Sequence, residues 1–237
     1  MQAGRNARGM FLALDGNDGS GKATQARLLS ERLAKEGITS LKIDFPGYDR
    51  NFFGAFVGEC LAGQHGDFLR LDPKIASTLY ACDRLESSPV IRSALAEGKV
   101  VIADRFASAN QIHQGGKIPS EAEREAFMRW LDRMEHEVLG VPRPDLIIYL
   151  RVPVDVSLKL LTDKRKAKNQ ALVDGEKDMV EEDRAYLENS RMTADWLLAH
   201  QPNWRLVECM EDGVLRTPAA ISEDIWREVA KALPSSQ

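Results

Sequence analysis

The sequence predicts an α/β protein with a five-stranded parallel sheet and helices on both faces. Three observations carry that expectation. Short apolar runs alternate along the chain with segments of helical period. The first apolar run ends in a glycine-rich turn containing a lysine. A later run ends in an adjacent aspartate and arginine, at the strand end where parallel sheets present ligands. The 237 residues suit one domain spanning 1–237.

In chain order, Met10 to Leu14 is a compact apolar run and reads as a buried parallel strand. Ala26, Leu29 and Leu33 then recur at helical spacing between Lys22 and Lys35, and Gly37 stops that helix. Ser40 to Phe45 is the second strand, closed by Pro46 and Gly47. A long helix is expected from Pro73 to Ala96, with a break or kink near Pro89. Lys99 to Ala103 is the third strand. Phe127, Leu131, Met134 and Val138 form a helical stripe ending at Gly140, so all four are expected to face inward. Asp145 to Leu150 and Trp204 to Cys209 are the fourth and fifth strands. The segment Thr162 to Asp178 is polar, charge-rich and irregular, and reads as a mobile excursion.

Composition narrows the function. The net charge of −4 and a pI near 5.7 argue against a general nucleic-acid binder. Nothing approaches the roughly 18 apolar residues of a membrane span, and the polar start MQAGRNARG lacks a signal-peptide core, so a cytoplasmic location is expected. Cys60, Cys82 and Cys209 have neither metal-ligand nor redox spacing and read as small buried apolar residues.

The first turn reads Gly16-Asn17-Asp18-Gly19-Ser20-Gly21-Lys22-Ala23-Thr24, a G-x-x-x-x-G-K loop between a strand and a helix. Glycines let backbone N–H groups turn around a phosphate, and the helix beginning at Lys22 adds its positive dipole end. Lys22 supplies a compact charge for the β- and γ-phosphates of ATP. Ala23 stands where a Ser or Thr hydroxyl normally binds Mg²⁺, and Thr24 follows it. Asp104, after the third strand, is the candidate carboxylate for that metal. Arg105 beside it offers a planar fork for phosphate.

Three segments together resemble the thymidylate kinase family over nearly the full length, most closely bacterial enzymes with a basic lid. They are FLALDGNDGSGKATQ, FPGY at Phe45 to Tyr48, and LYACDR leading to DRFASANQIHQGG; RPDLIIYLRVP also looks like the family's fourth strand. The resemblance implies the fold of P-loop nucleoside monophosphate kinases, phosphorylation of dTMP by ATP with Mg²⁺, and a homodimer packed through helices such as Pro73 to Ala96. It implies that Asp18 and Arg105 position the acceptor phosphate and metal, and that Tyr80 stacks on the thymine. Arg84 would donate to the base O4, with Asn110 and Gln111 against base and sugar. Phe45, Pro46 and Tyr48 match a substrate-side loop. His113 stands where many relatives carry tyrosine, Ala109 replaces a frequent serine, and Gly47 replaces an arginine found in several relatives.

The phosphate loop itself contains no arginine, so cationic help has to come from elsewhere. Lys164, Arg165, Lys166 and Lys168 lie in the segment 162–178 that the resemblance makes a lid, and among them only Arg165 carries a bidentate fork. A kinase for another nucleotide and a non-catalytic nucleotide-binding switch are the alternatives. Tyr80 with Arg84 favours a pyrimidine carrying a 4-carbonyl, whereas Ala23 is the feature that favours a switch.

Overall fold

The computed structural model describes residues 8–167 and 184–233. Five parallel strands form one sheet in the order β2-β3-β1-β4-β5, as expected. They are β1 (Phe11–Gly16), β2 (Ser40–Asp44), β3 (Val100–Asp104), β4 (Leu146–Arg151) and β5 (Trp204–Glu208). The order places β1 centrally, between β3 and β4, so the loop after β1 leaves from the middle of the carboxyl edge. Leu14 pairs with Asp104, which brings the phosphate loop and the acid–arginine pair side by side.

Helices α1 (Lys22–Lys35), α2 (Phe52–Leu61), α3 (Pro73–Ala96), α4 (Ala107–Gly115), α5 (Glu121–Asp132), α6 (Val154–Ala167), α7 (Arg184–His200) and α8 (Pro218–Ala232) surround the sheet. Strand alternation divides the core into two layers. Leu12, Leu14, Ile102, Ile148 and Leu150 pack with Leu29 and Leu33 of α1 and Ile225 and Val229 of α8. Phe11, Ala13, Val101, Ala103 and Tyr149 face the other way, onto Ile91, Ile112, Phe127, Leu131 and Leu197. Each such fully buried Leu or Ile contributes roughly 1.5–3 kcal/mol. A two-stranded hairpin, β6 (Met210–Glu211) with β7 (Val214–Leu215), lies outside the sheet and was not expected, nor was α2.

Three expectations need correction. Helix α3 runs unbroken through Pro89. The carbonyl that Pro89 cannot bond belongs to Leu85, and both residues lie on an exposed face, where a lost helix bond costs least. The inward stripe fails at its end: Val138 is 69% exposed and Glu135 is 0% exposed. Residues Arg133–Val138 form a π-helical turn after α5, marked by the hydrogen bond from Leu139 N–H to Met134 O at 3.0 Å. The extra residue in that turn rotates the following side chains and carries Glu135 into the interior. Finally, residues 162–167 are not irregular; they complete α6, which runs to Ala167. Of the three cysteines, Cys60 and Cys209 are buried as expected and Cys82 is half-buried. Among the described residues no helix is long and apolar enough to cross a membrane.

Candidate active site

A cavity of about 570 Å³ lies over the carboxyl edge of β1 and β3. Its floor at one end is the loop 16–24. Gly16 has φ 149° and Gly21 has φ 90°, and a Cβ at Gly16 would come within 2.7 Å of Leu150 O. Glycine is therefore required there by both conformation and space. Lys22 is 7% exposed and its Nζ donates to Gly16 O and Asn17 O, both at 2.9 Å. Burial, followed by the nearby Arg105 charge, pulls the Lys22 pKa below the ordinary lysine value.

Several buried polar atoms at this end have no partner among the described residues: both amide atoms of Asn17, Oγ of Ser20 and Oε1 of Gln25. Buried polar groups are almost always paired, so such a cluster marks a place built for a polar ligand. Together with the positive-φ glycines and Lys22, it fits the phosphates of a nucleotide. The fit to a divalent cation is narrower. Ala23 offers no hydroxyl, Thr24 is exposed, and no group of three or more His, Cys, Asp or Glu ligands occurs among the described residues. Asp104, half-buried on the cavity wall, is the carboxylate available to a metal carried on phosphate oxygens.

Arg105 sits beside the loop at φ 66°, a left-handed conformation that only the surrounding structure can hold for an arginine. Its Nη2 is hydrogen-bonded to Asp18 Oδ1, and its Nη1 donates to His113 Nε2 at 3.0 Å. Burial would raise the Asp18 pKa, but Arg105 and then Lys22 outweigh it and hold the carboxyl below its usual range. Because Arg105 can only donate, His113 Nε2 must be the acceptor, so Nδ1 carries the proton. Nδ1 then donates to Ser190 Oγ at 3.1 Å, and Ser190 donates to Tyr186 O at 2.8 Å. Burial and the Arg105 charge push the His113 pKa down to about 3. The imidazole also stacks on Tyr186, with centroids 5.8 Å apart and planes 8° from parallel. His113 thus ties the arginine at the phosphate end to α7.

The other end of the cavity is formed by α3 and α4. Tyr80 lines it, half-buried, with its ring edge-on to Phe68 at 5.6 Å. Arg84 also lines it but is 2% exposed, and its donors are partly committed. Nε and Nη2 donate to the two oxygens of Glu135, each at 2.7 Å. Asn110 Nδ2 donates to the same carboxylate at 3.0 Å and to Ser77 O at 3.1 Å. Gln111 does not line the cavity. Helical spacing on α4 directs Ala109, Asn110, His113 and Gln114 into it.

The loop Phe45 to Tyr48 forms the cavity's side, with a cis bond between Phe45 and Pro46. Asp83 pins it: Gly47 N–H donates to Asp83 Oδ2 at 3.0 Å, and Asn51 Nδ2 to Oδ1 at 2.6 Å. Arg50 fills the space over Gly47; a Cβ there would lie 2.8 Å from its Nη2. Arg165 lies on α6, while Lys168 and the remainder of the expected lid to residue 178 fall outside the described residues.

Sequence reasoning missed Glu135, Asp83 and Gln114. No local motif marks Asp83, and Glu135 sat off an apparent apolar stripe. Gln114 was the one within reach, since it lies four residues after Asn110 on the same helical face.

The chain is similar to known proteins of one description. The model of the family described as thymidylate kinase matches residues 14–213. A thymidylate kinase of Synechococcus sp. (strain JA-2-3B'a(2-13)) is 31% identical over 228 residues, covering 95% of this chain and 96% of that protein. One from Afipia carboxidovorans is 31% identical, covering 98% and 95% respectively. In fold, the solved thymidylate kinase of Candida albicans superimposes with a TM-score of 0.68 at 21% identity, covering 96% of this chain and 94% of that one. With a matching family model over most of its length and full-length relatives of that description, the chain belongs to the thymidylate kinase family.

Proposed function

We propose that the cavity is where this family member transfers the γ-phosphoryl group of ATP to dTMP, giving ADP and dTDP for deoxynucleotide synthesis. One observation carries the reading: a single cavity joins the lysine-bearing loop, Arg105, and an end walled by Tyr80, Arg84 and Asn110. ATP phosphates enter the loop 16–24, where their oxygens meet the Asn17 and Ser20 donors that lack partners. Lys22 moves its ammonium from the Gly16 and Asn17 carbonyls to the β- and γ-phosphates. Arg105, steadied by Asp18 and His113, takes the phosphate of dTMP and aligns it for in-line attack. That phosphate is already an anion, so the step needs no strong general base. Asp104 would hold Mg²⁺, which when bound neutralises charge on the transferring group. Arg165 on α6 is the lid residue assigned to the same charge.

At the base end the ring of Tyr80 stacks on the pyrimidine, a contact worth roughly 1–3 kcal/mol but indifferent to base identity. Phe45, Pro46 and Tyr48 close the side of the pocket, and His113 with Asn110 and Gln114 bounds the sugar. The protein works as a homodimer in the cytoplasm. Support for the dimer is the exposure of large apolar side chains on α2 and α3, with Phe52 at 74%, Ile75 at 56% and Val90 at 56%. The function is tested by assaying purified protein with Mg·ATP against dTMP, dUMP, UMP, dCMP, dGMP and dAMP, following ADP release and product identity. Turnover strongest with dTMP is expected; preference for another acceptor would overturn the assignment of the base pocket.

A further inference from the structure

The base end of the cavity contains a charge that no substrate touches. Glu135 is 0% exposed, and both of its oxygens are engaged inside the protein. A carboxylate is an acceptor only, so every group bonded to it must present a donor. This fixes two neighbours at once. For Arg84, Nε and Nη2 turn inward to the carboxylate, and Nη1 is the nitrogen left with no partner among the described residues. For Asn110, the NH₂ group faces two acceptors, Glu135 Oε1 and Ser77 O. Flipping that amide would set its oxygen against both. Asn110 Oδ1, which receives no hydrogen bond among the described residues, is therefore held as an acceptor.

The cavity end thus offers one fixed donor and one fixed acceptor, on residues that both line it. Thymine and uracil present the complement, an O4 acceptor beside an N3–H donor. Cytosine presents the reverse, an N4 amino donor beside an N3 acceptor. We infer that Glu135 is the positioning residue that sets the hydrogen-bond polarity of the base pocket, and so makes it select a 4-carbonyl pyrimidine over cytosine. The inference rests on the dTMP reading above and adds to it the source of the selectivity. Tyr80 cannot supply this selectivity, because stacking tolerates any base. Arg84 can only donate and so favours O4 at one position, but at the next position an unrestrained Asn110 amide would turn to suit either ring. The π-helical turn at Arg133–Val138 is what delivers the carboxylate to this spot, and such turns recur at functional sites.

The test is the ratio of kcat/KM for dTMP to that for dCMP, at saturating Mg·ATP, in wild type and Glu135→Gln. Glutamine has one acceptor oxygen where glutamate has two, so either Arg84 loses one of its two bonds or Asn110 is left with Ser77 O as its one acceptor, and the restraint on the pair weakens. The ratio is expected to fall about 10- to 100-fold, mostly through a higher KM for dTMP, with KM for ATP unchanged. Glu135→Asp keeps the charge but is too short to serve both partners, and decides the matter if Glu135→Gln does not fold. A smaller fall in the same ratio is expected for it. An unchanged ratio in a folded variant, even one less stable or slower overall, would overturn the inference and leave Glu135 a structural ion-pair partner. A wild type that does not prefer dTMP to dCMP would instead overturn the pocket reading itself, and the inference with it.

Discussion

The two ends of the cavity solve opposite problems with the same kinds of side chain. At the phosphate end, Lys22, Arg105 and Asp18 form a cluster in which every charge has an internal partner yet stays at the cavity wall. A phosphate can take over from those partners, so the pairing is provisional. At the base end, Arg84 and Glu135 form a pair at 2% and 0% exposure that no ligand replaces. Exchangeable pairs suit binding and charge stabilisation; a locked pair suits discrimination, which needs donors and acceptors that do not adapt. The contrast teaches that burial separates a catalytic arginine from a recognition arginine more sharply than residue type does.

The largest expected effect tests the exchangeable end. Lys22→Ala should lower kcat by about 10³-fold or more, since a charge aimed at the transferring phosphoryl group is lost. The thermal unfolding midpoint should change little by comparison, because Lys22 bonds two loop carbonyls at the cavity wall and Asp18 keeps Arg105 as its partner. Turnover near wild type would remove the loop from the mechanism.

Arg84→Ala tests the locked end and should behave differently. It strands Glu135 in the interior, so a stability loss of about 3–5 kcal/mol is expected along with failure to use dTMP. Adding Glu135→Leu should restore much of the stability but none of the dTMP use, and ATP binding should survive in both. Denaturant titration of the two single variants and the double variant measures the coupling. Additive losses would show that the pair is not energetically joined.

The same contrast governs what was legible in the sequence. The phosphate end is contiguous: nine residues from Gly16 to Thr24, plus Asp104-Arg105, carry nearly all of it, and a strand–loop–helix context reads directly from periodicity. The five strands and both ends of α1 and α3 were equally readable, because their apolar runs end at glycine, proline or charge. The base end is assembled from residues 51 positions apart, Arg84 and Glu135, and no local rule links them. The resemblance supplied Arg84 and Asn110 but not the group that orients them. Gln111 came with Asn110 from the resemblance, and reading along the chain rather than around the helix does not reveal that Gln114 also lines the cavity.

His113, which ties Arg105 to α7, gives an intermediate effect that depends on pH. It is neutral in the fold, facing Arg105 and near Lys22 and Lys117, with Asp18 as the opposing charge. Its folded pKa, about 3, lies below the unfolded value near 6.5. The unfolded chain therefore binds more protons between those values, and stability falls as pH drops from about 6.5 toward 3. Asp18, held below its usual range, acts with the same sign, while Asp104, raised by burial, opposes it. His113→Gln keeps an acceptor for Arg105 but does not titrate, so its unfolding midpoint should decline less steeply than wild type below pH 6.5. Parallel declines would mean that the imidazole is not the group being charged.

The smallest effect concerns the π-helical turn that makes the base end possible. If Arg133–Val138 continued α5 as an ordinary helix, Val138 would complete the apolar stripe and Glu135 would lie beside it toward solvent. With the extra residue in the turn, Leu131 is 1% exposed and Val138 is 69% exposed. Leu131→Ala should then cost about 2–5 kcal/mol by leaving a cavity against Phe127 and Leu197. Val138→Ala should change stability by no more than about 0.5 kcal/mol, as surface substitutions do. Both are read from urea midpoints at constant slope. A Val138→Ala loss comparable to that of Leu131→Ala would put the valine back in the core. The turn would then have ordinary helical register, and Glu135 would leave the position from which it holds Arg84 and Asn110.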